Sequence, residues 1–108
     1  MAHRLRRVLV IEDDLETAEQ VTDSLRRNAY SVDLAADGED GLNRALTADY
    51  LVMTVDRLLP RIDGLEVIRR LRERGIGTPA LVLSALGEID ERVRGLRAGS
   101  YRRILVTA

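Results

Sequence analysis

A chain of 108 residues suffices for one domain with a single core and little surplus. At 45% hydrophobic, 32% charged and a formal net charge of −1, it is globular in composition and gives no basis for a chain-wide nucleic-acid or anionic-membrane surface. The lack of cysteine excludes disulfides and thiolate metal sites and fits a reducing compartment; no run approaches a membrane span, and "MAHRLRR" leads into a short strand rather than a signal-peptide core.

In chain order, "RVLVIE" (7–12) is a short apolar run rich in β-branched residues, which predicts a strand. From Asp14 onward Leu15, Ala18, Val21 and Leu25 recur every three or four residues, the stripe of an amphipathic helix. "YSVDLAA" predicts a second strand, and Leu42, Ala45 and Leu46 mark a second helix. "YLVMTV" predicts a third strand, followed by a helix striped by Leu65, Ile68 and Leu71 that ends near Gly75. "TPALVLSA" opens on a proline suited to a strand start. Ile89, Val93 and Leu96 predict a fourth helix stopping at Gly99, and "RILV" a fifth strand. Alternation of this kind predicts an α/β fold with a parallel sheet covered by helices. Such sheets bind ligands beyond the carboxyl ends of their strands.

The residues at those ends are Glu12, Asp13 and Asp14 after the first strand, Asp56 after the third and Ser84 after the fourth. Each has an ordinary reading: Asp13 or Asp14 as a helix N-cap, Asp56 as a turn former or a partner of Arg57, Ser84 as a polar strand end. If the first and third strands are neighbours, however, Glu12, Asp13 and Asp56 converge. Two carboxylates about 4 Å apart repel by roughly 4 kcal/mol at an effective dielectric of 20. Protons, basic partners or a hard cation such as Mg²⁺ must relieve that repulsion. A phosphoryl group beside the cation would suit a small hydroxyl donor such as Ser84. Asp37, Asp63 and Asp90 read as structural residues at helix starts, and His3 as solvated surface.

"VLVIEDD", "YLVMTVDRLLPRIDGLEVIRRLR" and "TPALVLSALGEIDERVRGLRAG" together resemble the receiver domain of two-component response regulators, in the OmpR/PhoB-like group of transcription regulators. The resemblance covers roughly residues 6–99. It implies a flavodoxin-like, doubly wound parallel sheet of strand order 2-1-3-4-5, here lacking the fifth helix, with residues 1–108 forming one C-terminally incomplete receiver domain. It implies that Asp56 accepts a phosphoryl group from a sensor histidine kinase and that the cofactor is Mg²⁺. Asp13, Asp56 and the backbone carbonyl of Leu58 would ligate it, with Glu12 reaching it through water. Ser84 would hydrogen-bond the phosphoryl group, and Pro60 and Gly64 would shape the loop after Asp56. The implied role is a signalling switch rather than an enzyme, cytoplasmic, off the membrane and without nucleic-acid contacts of its own.

The tail departs from the family pattern. By count from Ala98–Gly99, the family lysine falls on Val106, and this chain has no lysine at all; its 17 basic residues are all arginine. The aromatic of the family switch falls on Arg103. Arg102 or Arg103 offers a charge, but a planar guanidinium fork is not the equivalent of a lysine's point charge. Two readings follow: a phosphorylatable switch, or a degenerate receiver acting as a phosphorylation-independent interaction module. A flavin-binding protein of similar topology is disfavoured, because acids stand where a phosphate-cradling loop would be. Without a fifth helix, apolar residues of strands one, three and five should be exposed, which predicts self-association through that face or the last strand.

Overall fold

The computed structural model describes residues 6–85 and 102–107, with the backbone alone for 84, 85 and 102–107. In chain order the elements are β1 (Arg7–Ile11), α1 (Leu15–Arg27), β2 (Ser31–Ala35), α2 (Gly38–Thr47), β3 (Val52–Asp56), α3 (Gly64–Glu73), β4 (Ala80–Ala85) and β5 (Arg102–Thr107). The helix expected around Ile89 to Leu96 lies outside the described residues, as do His3, Asp90 and the tail beyond Thr107.

The strands form one sheet in the order β2-β1-β3-β4-β5. The first four are mutually parallel, with Ile11 level with both Ala35 and Val55, and Asp56 level with Leu83. β1 is central and buried on both faces, which is why it reads as a continuous apolar run rather than an alternating one. Its residues Leu9 and Ile11 join Met53, Val55, Ala80 and Val82 against Ala45 of α2 and Val67, Ile68 and Leu71 of α3. Val8 and Val10, alternating with them, point to the opposite face, where α1 lies on β1 and β2.

An aspartate caps each described helix. Asp14, Asp37 and Asp63 accept from the backbone N–H of Thr17, Asp40 and Glu66 respectively, satisfying donors that the first helical turn leaves unpaired. Asp37 and Asp63 thus have the structural role their positions predict. α3 stops at Gly75, in the left-handed region at φ 79°, with Ile76 N–H donating back to the Leu71 carbonyl.

β5 takes the expected outer place but runs antiparallel to β4, with Ala80 opposite Thr107 and Ala85 opposite Arg102. This departs from the all-parallel expectation. With Arg102 opposite Ala85 and Thr107 opposite Ala80, β5 starts beside the end of β4 and finishes beside its beginning. An antiparallel edge on a parallel sheet is a common arrangement. Val8 and Val10 are buried, while Val52, Leu81 and Leu83, on the same face, are half-buried. The exposure expected on β1 is therefore not found, because α1 covers it; the partly exposed apolar positions of that face are, among the described residues, on β3 and β4, and the side chains of β5 lie outside those residues.

Candidate metal and phosphoryl site

Parallel pairing of β1 with β3 ends both strands at the same rim. One ligand oxygen from each of Glu12, Asp13 and Asp56 lies within 4.8 Å of the others there. At that spacing each pair of charges repels by roughly 3 kcal/mol or more at an effective dielectric of 20. Glu12 and Asp56 are 3% and 6% exposed, so water does little to screen them, while Asp13 is exposed and leaves the cluster open to solvent. Three hard oxygen donors, two buried and one exposed, match the ligand preference of a small divalent cation that retains several waters.

The local chain holds these groups in place. Glu12 Oε2 accepts from the Asp14 N–H at 3.1 Å, and the Glu12 N–H donates to the Ala35 carbonyl at 2.9 Å. Asp14 is engaged as the cap of α1, which divides the acids after β1 into one helix cap and two site residues. Asp56 Oδ1 accepts from the Leu58 N–H at 3.3 Å, folding the start of the next loop over the carboxylate. That loop is fixed at both ends: Arg57 N–H donates to Leu83 O at 3.0 Å, and Gly64 N–H donates to Arg57 O at 2.9 Å. A Cβ on Gly64 would stand 2.3 Å from the Asp56 carbonyl oxygen, so only glycine lets α3 begin this close to the end of β3.

Sequence reasoning did not single out the second support of this loop. Pro60 O accepts from both Gly38 N–H (3.2 Å) and Ile62 N–H (2.9 Å), with Arg61 between them at φ 73°. The i to i+2 bond around a positive-φ residue has the form of a γ-turn, a strained conformation that needs outside support. A Cβ on Gly38 would lie 1.8 Å from Ile62 O, so α2 supplies that support by close approach. Arg61 faces Asp37 and Glu39 at 3.9 and 3.7 Å. A glycine directly after a cap residue, with no turn to explain it, was the available signal.

The structure thus brings Glu12, Asp13 and Asp56 together and sets Leu58 beside them. Ser84 lies one residue beyond Leu83, the partner of Asp56, on the neighbouring strand; its side chain lies outside the described residues. No helix among the described residues is long and apolar enough to cross a membrane.

Comparison with known proteins agrees with this geometry. The sequence model of the response regulator receiver domain matches residues 8–105. The probable transcriptional regulatory protein SilR of Salmonella typhimurium is 40% identical over 94 residues, covering 87% of this chain and 41% of that protein. The chain therefore spans about two-fifths of the length of such relatives. Among solved structures, the Francisella response regulator 1452 receiver domain superposes with a TM-score of 0.73 at 32% identity, covering 90% of this chain and 80% of that one. The receiver domain of the sensor histidine kinase PA1611 of Pseudomonas aeruginosa, with a magnesium ion coordinated in its active site cleft, gives a TM-score of 0.74 at 29% identity over 87% of this chain and 79% of its own.

Proposed function

This chain belongs to the response regulator receiver family, and from that premise we propose that it is a phosphoryl-accepting switch whose acceptor is Asp56. The observation that carries the reading is the convergence of the Glu12, Asp13 and Asp56 oxygens within 4.8 Å. A buried, rigidly held carboxylate at the end of a central strand is a well-positioned nucleophile. In the proposed step an Asp56 oxygen bonds to the phosphorus of a phosphohistidine on a sensor histidine kinase. The P–N bond breaks and its electron pair leaves on the imidazole nitrogen. Glu12, Asp13, Asp56 and the Leu58 carbonyl would hold Mg²⁺, which when bound supplies neutralisation of the phosphoryl oxygens. Ser84 would donate a hydrogen bond to the group once transferred and move with it.

Phosphorylation then shifts a pre-existing equilibrium between two surfaces of the domain. We place the domain in the cytoplasm, with the kinase as partner and any DNA contact made by segments other than these residues. Incubation with a small phosphodonor and Mg²⁺, followed by intact-mass measurement, tests the assignment. A single phosphate adduct is expected, absent in Asp56→Asn. No adduct in a folded protein that binds Mg²⁺ would overturn it in favour of the phosphorylation-independent module.

A further inference from the structure

Two surfaces away from the acid cluster carry charge that the fold leaves uncancelled. The first is a groove of about 350 Å³ between α2 and α3, lined by Leu42, Leu46, Arg69, Arg70, Glu73 and Arg74. The half-buried Leu42 and Leu46 give it apolar surface, and the arginines of α3 and its C-cap make the opposite wall basic. Glu66 pairs with Arg69 and Arg70, and Glu73 with Arg69, whereas the exposed Arg74 guanidinium has no partner among the described residues. The second surface is a ridge on α1. Leu15, Glu19 and Asp23 follow one another at four-residue intervals, and Glu16 precedes Glu19 by three, so the four share one side of the helix. All are exposed, Leu15 to 73%, and none of the three carboxylates is paired among the described residues.

An exposed leucine flanked by unpaired acids is the chemical complement of a leucine-lined groove walled by arginines. The two cannot meet within one molecule, because α1 lies on the Val8 and Val10 face of the sheet and α2 and α3 on the Leu9 and Ile11 face. A net charge of −1 sets little long-range repulsion between copies. We propose that the α2–α3 groove takes the α1 ridge of a second copy of this chain. Such a contact joins different patches on the two partners. It leaves a free groove at one end and a free ridge at the other, so copies add head to tail. This differs from association through the sheet face or the last strand. Exposed ion pairs are individually weak and screened by salt, which sets the contact at about millimolar strength.

Sedimentation equilibrium at low salt, in a concentration series reaching about 1 mM, tests the proposal. The average mass should rise with concentration without levelling at a dimer, and fall toward that of the monomer at about 0.5 M salt. A groove variant, Arg70→Gln/Arg74→Gln, and a ridge variant, Leu15→Ser/Glu19→Gln/Asp23→Asn, change exposed side chains only, and their urea midpoints confirm that each is folded. Each alone should associate at least about fivefold less tightly than the parent. An equimolar mixture should regain the parental affinity and stop at a dimer, since one variant supplies the only intact ridge and the other the only intact groove. A parent that stays monomeric would leave the groove to a different acidic partner and overturn the proposal. So would a closed dimer that both variants form as well as the parent, which would place the contact elsewhere, or a mixture that associates no better than its components.

Discussion

Asp33 shows how much of a residue's role depends on contacts that no local pattern announces. Its Oδ2 accepts from Tyr50 OH at 2.7 Å and from Arg7 Nη2 at 2.8 Å, and the Arg7 guanidinium stands 5.3 Å from the centre of the Tyr50 ring. Burial and then the bond to Asp33 push the Tyr50 phenol up to about 12. For Asp33 burial acts upward, but the bonds from Tyr50 and Arg7 outweigh it and hold the carboxyl below its ordinary value. The Tyr50 value lies above that of an unfolded phenol, so the associated stability is intact below pH 10 and lost as pH rises from 10 through 12. Urea midpoints should therefore fall across that interval, and Tyr50→Phe should flatten the fall. The same variant should lose about 1 kcal/mol at neutral pH, since Asp33 forfeits a donor. A slope unaltered by Tyr50→Phe would place the titration elsewhere. The three residues are far apart in sequence, and nothing in "YLVMTV" or "YSVDLAA" joins them. The acids at 12, 13 and 56 were legible because a topological rule, not a local one, puts strand ends at a common rim.

At the scale of elements, the strands and described helices are the ones their patterns predict, because burial imposes period on the sequence. β1 is apolar from Val8 to Ile11 since both its faces are covered there, and Leu65, Ile68 and Leu71 recur as a helix face requires, although Leu65 itself remains exposed while Ile68 and Leu71 are buried. Junctions between elements depend instead on close approach, which a sequence records only as a glycine. Gly64 is the sharpest instance, for its added Cβ would meet the Asp56 carbonyl oxygen at 2.3 Å and Val55 Cγ1 at 2.9 Å. Backbone cannot yield as a flexible side chain would. Gly64→Ala should cost about 1–3 kcal/mol in urea unfolding and weaken Mg²⁺ binding by displacing Asp56. A variant of parental stability and affinity would show that α3 can start elsewhere. The direction of β5 was not legible at all: "RILV" alternates no differently when read in either sense, and the count from Ala98–Gly99 carries no information about orientation.

For the whole molecule, that direction decides which residues of β4 and β5 are opposed. Leu83 and Ile104 are opposed in the antiparallel ladder, at a Cα separation that a disulfide spans. In a chain without native cysteine, Leu83→Cys/Ile104→Cys should oxidise to an internal crosslink, and Leu83→Cys/Val106→Cys should not; the opposite result would indicate a different register or direction. On the face that α1 covers over β1 and β2, the apolar Val52, Leu81 and Leu83 are half-buried. The larger claim is that residues 12, 13 and 56, brought together by the β1–β3 pairing, form one cation site. Mg²⁺ titration followed by amide NMR tests it most directly. Signals of residues 12–14 and 56–58 should move together along a single binding curve, abolished by Asp13→Asn. Signals that stay still, or that follow separate curves at the two segments, would contradict the account.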